Sequence, residues 1–235
     1  MPHGTVTYGK ETIQYTVLHV ARKTMAIEVL PDAKVVIKAP LETTVEEVSQ
    51  RVFKRARWII KQQQYFRQFD PRTPERQFIG GETHLYLGKQ YRLKVCVAGR
   101  DKVLLSRGYF VVETKAEYGP EETKSLMSGW YAEKAASTFQ NRFKFCWVNF
   151  EKMKLTMPRL QVRRMKKRWG SLSRGGMLTL NTDLIRAPRE CIDYVITHEL
   201  CHLKYHDHSP EFYRLLEKVM PDWEKRKHKL ELALV

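Results

Sequence analysis

The sequence is poor in the features that mark secreted and membrane proteins. Its four cysteines, at positions 96, 146, 191 and 201, are scattered and form no CxxC pair, so we expect reduced thiols and no disulfide framework. No apolar run approaches about 18 residues, so we expect neither a transmembrane helix nor a membrane partner. The first residues also lack a signal-peptide pattern. Together these absences predict a cytoplasmic protein.

Acidic residues are scarce relative to basic ones. The 235 residues include 26 Asp and Glu against 42 Lys and Arg, which gives a formal net charge of +16. Such an excess favours an anionic partner, for example nucleic acid, a nucleotide or an acidic polypeptide. A basic solvated surface with no specific partner explains the charge equally well. The hydrophobic fraction of 43% provides for a real core and excludes disorder of the whole chain.

Short β-branched segments dominate the chain up to about residue 114, interrupted by one long helix. Thr44 and Glu47 have the spacing of a capping box and predict that this helix runs to about Arg67. A second long helix is predicted from Pro120, a residue favoured in the first turn. We see no internal repeat in the sequence. The pattern predicts an α+β protein, with a β-rich N-terminal region over 1–117 and a catalytic region over 118–235.

The main chemical signal is the segment from His198 to His202. Two histidines four residues apart on a helix lie on one face, where their ring nitrogens can share one metal ion at about 2.0–2.1 Å each. Glu199 is rotated by about one hundred degrees from His198, beside that ion. It can therefore take a proton from a water on the metal without competing for the ion. The spacing predicts one Zn²⁺ ion, with Glu199 as the catalytic base.

A third ligand is needed to complete this site. If the helix continued to His206, the backbones of His198 and His206 would lie about 12 Å apart, too far to share an ion comfortably. His208 is favoured because it directly precedes a predicted helix start, Ser209-Pro210, where the chain can fold back. Carboxylates of the following helix, Glu211 and Glu217, stay open as alternatives. Cys201 is interpreted as a small buried hydrophobe.

Two strands are predicted before the histidine helix, over 160–165 and 177–184, joined by a loop that includes Trp169. We expect this loop to pack near the helix and to shape the substrate cleft. Met177 to Asn181 alternate in polarity, which predicts a half-buried strand along the cleft with one edge free for an extended substrate. The candidate substrate-binding residues are therefore Arg168, Trp169 and Asn181.

These residues resemble the YgjP-like metallopeptidase domain family, closely over 160–230 and more loosely over the whole chain, with a more distant similarity to SprT-like proteases. The family motif, HELxHL followed by a histidine before Ser-Pro, falls on His198, Glu199, His202 and His208. The resemblance implies a zincin-like minimal catalytic domain, a zinc-dependent hydrolase and a peptide or protein substrate. The sequence departs from the usual WGSCS of the family at Leu172, which argues that no thiol is needed there.

Two other functions stay open at this point. The basic run Arg163, Arg164, Lys166, Lys167 and Arg168 could hold phosphates, which would suit a nucleoside triphosphate pyrophosphohydrolase with the same metal site. The net charge also suits a nucleic-acid-associated protease. A solvated rim of the hairpin explains the basic run equally well.

Overall fold

The structure is a computed structural model that describes residues 3–30, 32–68, 76–166 and 168–234. The predicted α+β class is confirmed, and the described strands before residue 118 form the predicted β-rich region. The strands are β1 His3–Tyr8, β2 Glu11–His19, β3 Ala26–Val29, β4 Val35–Ala39, β5 Thr83–Tyr86, β6 Lys89–Val97, β7 Lys102–Ser106, β8 Tyr109–Thr114, β9 Arg159–Arg163, β10 Gly170–Leu172 and β11 Met177–Asn181. The helices are α1 Val45–Arg67, α2 Pro120–Trp147, α3 Arg189–Cys201, α4 Pro210–Val219 and α5 Trp223–Leu234.

The described residues up to 68 form one compact unit. Its four-stranded sheet has the order β1-β2-β4-β3, and α1 packs on this sheet through Val48, Val52, Ala56 and Ile59. The capping box predicted for α1 is confirmed, since the Glu47 N–H donates to the Thr44 hydroxyl and the Thr44 N–H donates to the Glu47 carboxylate. Reciprocal capping satisfies two amides that the helix start would leave unpaired.

The second unit covers the described residues from 76 to 234 and begins with a sheet of the same topology. Its order, β5-β6-β8-β7, repeats the first sheet strand for strand: two antiparallel hairpins whose inner strands pair in parallel, followed by a long helix. The sequence shows no internal repeat, so the repetition is one of topology alone. The repeat is invisible in the sequence because many apolar residue sets can fill the same positions.

The third sheet has the order β10-β11-β9, with β11 antiparallel to β10 and parallel to β9. The prediction that residues 177–181 form a half-buried edge strand is therefore wrong. β11 pairs along both edges, and four of its five residues are buried. The sequence prediction missed β10, a three-residue strand within the loop between the two predicted strands. The edge of the sheet that we predicted at β11 is therefore formed by β10.

Helix α3 lies at the centre of the second unit and is buried along most of its length. It packs against α2, α4 and α5 in a core that also includes residues of β6 and β8. An ion pair ties this packing together, since the Arg142 guanidinium donates to both oxygens of Asp193 at 2.7 and 2.6 Å. The predicted start of α4 is confirmed, with the Ser209 hydroxyl accepting from the Phe212 N–H ahead of Pro210.

The predicted boundary between residues 117 and 118 falls inside the second unit, just ahead of α2. It stays a prediction about where the catalytic domain begins. No helix in the described ranges is long and apolar enough to span a bilayer.

Candidate metal centre and active site

Three histidines from two neighbouring segments converge next to α3. His198 lies in the last turn of α3, His202 caps its C-terminus, and His208 directly precedes the Ser209 cap of α4. The Nε2 atoms of His198 and His208 are 3.0 Å apart. One ring nitrogen from each histidine lies within 4.8 Å of the others, which is the arrangement of a potential metal site. The helix ends at Cys201, so the assumption that His206 continues the helix is wrong.

The environment favours the neutral form of His198 and His208. Burial, followed by the nearby His202 and His208, lowers the pKa of His198 to about 3, and burial also lowers the pKa of His208. His202 Nδ1 lies 2.9 Å from the backbone oxygen of Tyr205, a contact that assigns its proton to Nδ1. The lone pair of His202 is then on Nε2, available to a metal.

The donor set fits a zinc ion. Two nitrogens at about 2.0–2.1 Å from one ion are about 3.3 Å apart at the tetrahedral angle, close to the 3.0 Å between the His198 and His208 Nε2 atoms. Three histidine ligands with a fourth position open towards a cavity are typical of hydrolytic zinc sites. The ligand assignment itself stays a prediction.

Glu199 lies beside the histidines and in contact with β10. It is only 9% exposed, and burial raises the pKa of its carboxyl to about 7, although a hydrogen bond from the Leu172 N–H opposes this shift. A Cβ placed on Gly170 would lie 2.8 Å from Glu199 Cγ and 2.9 Å from Oε1. The absence of a side chain at 170 therefore leaves room for the carboxylate, and a proton acceptor with a pKa near neutrality suits general-base chemistry.

A cavity of 570 Å³ opens above the histidines and is lined along one side by β10 and the turn that follows it. The N–H of Asn181 donates to the Trp169 oxygen, and the N–H of Ser173 donates to the Met177 oxygen. In an antiparallel pair such bonds alternate, so the backbone groups of Gly170 and Leu172 point away from β11. Leu172 directs its N–H to Glu199. The edge of β10 that is not paired with β11 therefore faces Glu199 on α3.

The predicted substrate-binding residues lie in three different environments. Arg168 lines the 570 Å³ cavity. Trp169 lines an adjoining cavity of 240 Å³ that also includes His198 and Glu199, so the loop packs on α3 as expected. Asn181 is buried, and its side-chain amide donates to the backbone oxygens of Met165 and Arg168 at 2.8 and 2.9 Å. Asn181 thus holds the loop that carries Arg168, and its contact with substrate stays a prediction.

The remaining candidates are spread around the site. His206 lines the cavity but is outside the cluster of three histidines. Glu211 and Glu217 are also outside this cluster. Glu211 instead pairs with Arg214 one turn along α4. In the basic run, Arg164 contacts Asp183 at 3.5 Å, and Lys167 is outside the described residues.

The sequence prediction missed the contributions made by backbone atoms. The Tyr205 oxygen and the Leu172 N–H act through groups that every non-proline residue has, so no side-chain pattern marks them. Gly170 could have been noticed, since a glycine inside a strand often marks the close approach of another group.

The model of the family described as YgjP-like, metallopeptidase domain, matches residues 23–233. The search of curated proteins gave no match. Two crystal structures are similar to part of the chain. The metallopeptidase zymogen of Methanocaldococcus jannaschii jannalysin is 19% identical with a TM-score of 0.37, and the match covers 41% of this chain and 90% of that one. The metallopeptidase zymogen of Pyrococcus abyssi abylysin is 26% identical with a TM-score of 0.34, covering 39% and 87%.

Proposed function

The chain belongs to the YgjP-like metallopeptidase domain family, and we propose that it hydrolyses peptide bonds with one zinc ion held by His198, His202 and His208. Membership makes it a metal-dependent hydrolase. The single observation that carries the finer proposal is the convergence of three imidazoles with a buried carboxyl, Glu199, on the wall of one cavity.

Each residue has a distinct role in the proposed reaction. When bound, zinc supplies a Lewis acid that polarises the carbonyl and acidifies water. The Glu199 carboxylate accepts a proton from the attacking water and returns it to the leaving amine. The Leu172 N–H holds the carboxylate in position, and the space at Gly170 admits it.

The free edge of β10 provides a means of holding the substrate. An extended peptide can pair with an unpaired strand edge through main-chain hydrogen bonds. In β10 the Gly170 N–H and the oxygens of Gly170 and Leu172 are not used by β11. A peptide paired there would pass beside Glu199, which brings its carbonyl groups to the reacting centre.

A nucleotide pyrophosphohydrolase is a weaker candidate. That chemistry needs several cations converging on the phosphates. Of the described residues in the basic run only Arg168 lines the cavity, and the other arginine of its lining, Arg174, lies beyond the far end of β10. Arg164 lies next to Asp183 instead. No observation favours a nucleic-acid-associated role over a simple basic surface.

The test is the Glu199→Gln variant. The amide keeps the shape of the side chain but cannot accept the proton, so turnover of casein or a peptide library should fall about a hundred- to ten-thousand-fold. Zinc content and the circular dichroism spectrum should stay as in the wild type. Undiminished peptide turnover by the folded, zinc-loaded variant would rule out Glu199 as the base. Wild-type hydrolysis of nucleotides without peptide cleavage would reject the peptidase proposal.

A further inference from the structure

The cavity above the histidines has an unbalanced charge. Two exposed arginines, Arg168 and Arg174, line it together with Glu199, the one acidic residue among its described lining. Neither guanidinium forms an ion pair with any acidic side chain in the described ranges. Both guanidiniums are exposed at the cavity, although the charge of Arg168 also acts on Glu199.

The two arginines flank the strand that offers a free edge. Arg168 precedes β10 and Arg174 follows it in the turn towards β11. Only the three residues of β10 between them are extended, which is about 10 Å at about 3.3 Å per residue. Arg174 lies in the turn that is closed by the hydrogen bond from the Gly176 N–H to the Ser173 oxygen. A peptide paired with β10 would thus pass one arginine before Glu199 and the other after it.

From this placement we infer that the cleft selects peptides with acidic residues on both sides of the cleaved bond. The inference rests on the proposed function, because it names the substrate class of the same site. An exposed ion pair changes affinity by a factor of about 1.5 to 5. Two such pairs give a preference of about 2- to 25-fold, which falls as salt screens the charges.

A peptide fits these observations better than a polyphosphate. The arginines lie at opposite ends of β10, and a compact phosphate group would need them converging on one point. Between them lie backbone groups of Gly170 and Leu172 that β11 leaves unpaired. Those groups complement the main chain of a peptide.

A binding assay tests the inference independently of turnover. The probes are two fluorescein-labelled peptides, one with glutamates flanking a run of alanines and one with glutamines in their place. They are titrated against the zinc-loaded Glu199→Gln protein by fluorescence anisotropy, at low and at physiological salt. The glutamate peptide should bind about 2- to 25-fold more tightly at low salt. In the same background, Arg168→Ala and Arg174→Ala should each remove part of that preference, and Arg168→Lys should retain most of it.

Arg159→Ala is the matched control, since it removes an exposed arginine from β9, at the opposite edge of the same sheet. It should leave the preference unchanged. Equal binding of the two peptides, or a preference that survives loss of both cavity arginines, overturns the inference. The inference is also overturned if the two peptides bind equally tightly while a labelled oligonucleotide binds in a way that requires Arg168 and Arg174. These outcomes leave the proposed function untouched if the wild type cleaves peptides and Glu199→Gln does not.

Discussion

Gly170 and Glu199 are in such close contact that any side chain at position 170 would displace the carboxylate. A Cβ there would lie 2.8 Å from Glu199 Cγ and 2.9 Å from both Glu199 Oε1 and Val195 Cγ1. β10 therefore sets the position of the proposed base, through its edge and through the Leu172 N–H.

The first prediction is that Gly170→Ala impairs catalysis while zinc stays bound. The added methyl must push Glu199 or α3 aside, because a Cβ essentially never lies within 3.0 Å of a non-bonded heavy atom. We expect at least about a tenfold loss of peptide turnover and a fall of about 1–3 kcal/mol in unfolding free energy. Gly175→Ala is the control, since its Cβ would meet only Ser173 Oγ, at 3.9 Å. Full activity in Gly170→Ala would show that β10 does not restrict the base.

The second prediction separates His208 from His206 as a metal ligand. His208→Ala should weaken zinc binding by at least about a hundredfold, because a ligand contributes more than the supporting groups whose loss costs 10- to 100-fold. His206→Ala should keep zinc, since His206 lines the cavity outside the histidine cluster. Competition with a chromophoric chelator measures both affinities. Near-stoichiometric zinc in His208→Ala under chelator would remove His208 from the ligand set.

The third prediction concerns the ion pair behind the active-site helix. Asp193 is 8% exposed and Arg142 is 24% exposed. Arg142→Ala therefore leaves a buried carboxylate whose remaining cationic partner among the described residues is Arg226, at 3.9 Å. We expect a loss of about 2–3 kcal/mol in unfolding free energy, less than for a fully buried pair. Arg100→Ala, which breaks the more exposed pair with Glu113, should reduce the unfolding free energy clearly less, because solvent screens that pair. Urea denaturation compares the two variants, and equal losses would contradict the prediction.

The fourth prediction is a pH dependence at Glu82. Burial raises the pKa of this carboxyl, but hydrogen bonds from the Gln77 and Phe78 N–H groups outweigh it and hold the pKa below 4.5. A carboxyl whose pKa is lower in the folded state than in the unfolded state stabilises the protein at pH values above the unfolded-state pKa. This contribution is lost as the pH falls through the folded-state pKa.

Glu82→Gln sets an amide N–H₂ against a backbone N–H donor. The variant should therefore have an unfolding free energy about 1–3 kcal/mol lower than the wild type at pH 7. This difference in unfolding free energy should become smaller as the pH falls below 4.5, because the wild-type carboxyl is then protonated and, like the amide, uncharged. Denaturation curves of both proteins at a series of pH values measure this gap. A gap that does not change with pH would mean that the charge of Glu82 has no part in its effect.

Local sequence determined the elements and the chemistry that act over short distances. The capping box of Thr44 and Glu47, the start of α4 at Ser209, and the spacing of His198 and His202 all depend on residues within one or two helical turns. Hydrogen bonds and helical periodicity at that range are encoded directly in residue order. The predicted helix start at Ser209-Pro210 favoured His208 as the third ligand, and the family motif agreed.

Only the tertiary structure decided which edge faces the cleft. The alternation along β11 describes the faces of a strand, whereas pairing uses backbone N–H and C=O groups that nearly every residue carries. The sequence therefore could not show that β11 is paired on both sides, or that the three residues of β10 form the free edge. The approach of His208 to His198 at 3.0 Å likewise depends on where α3 ends and how the chain returns, which long-range packing sets.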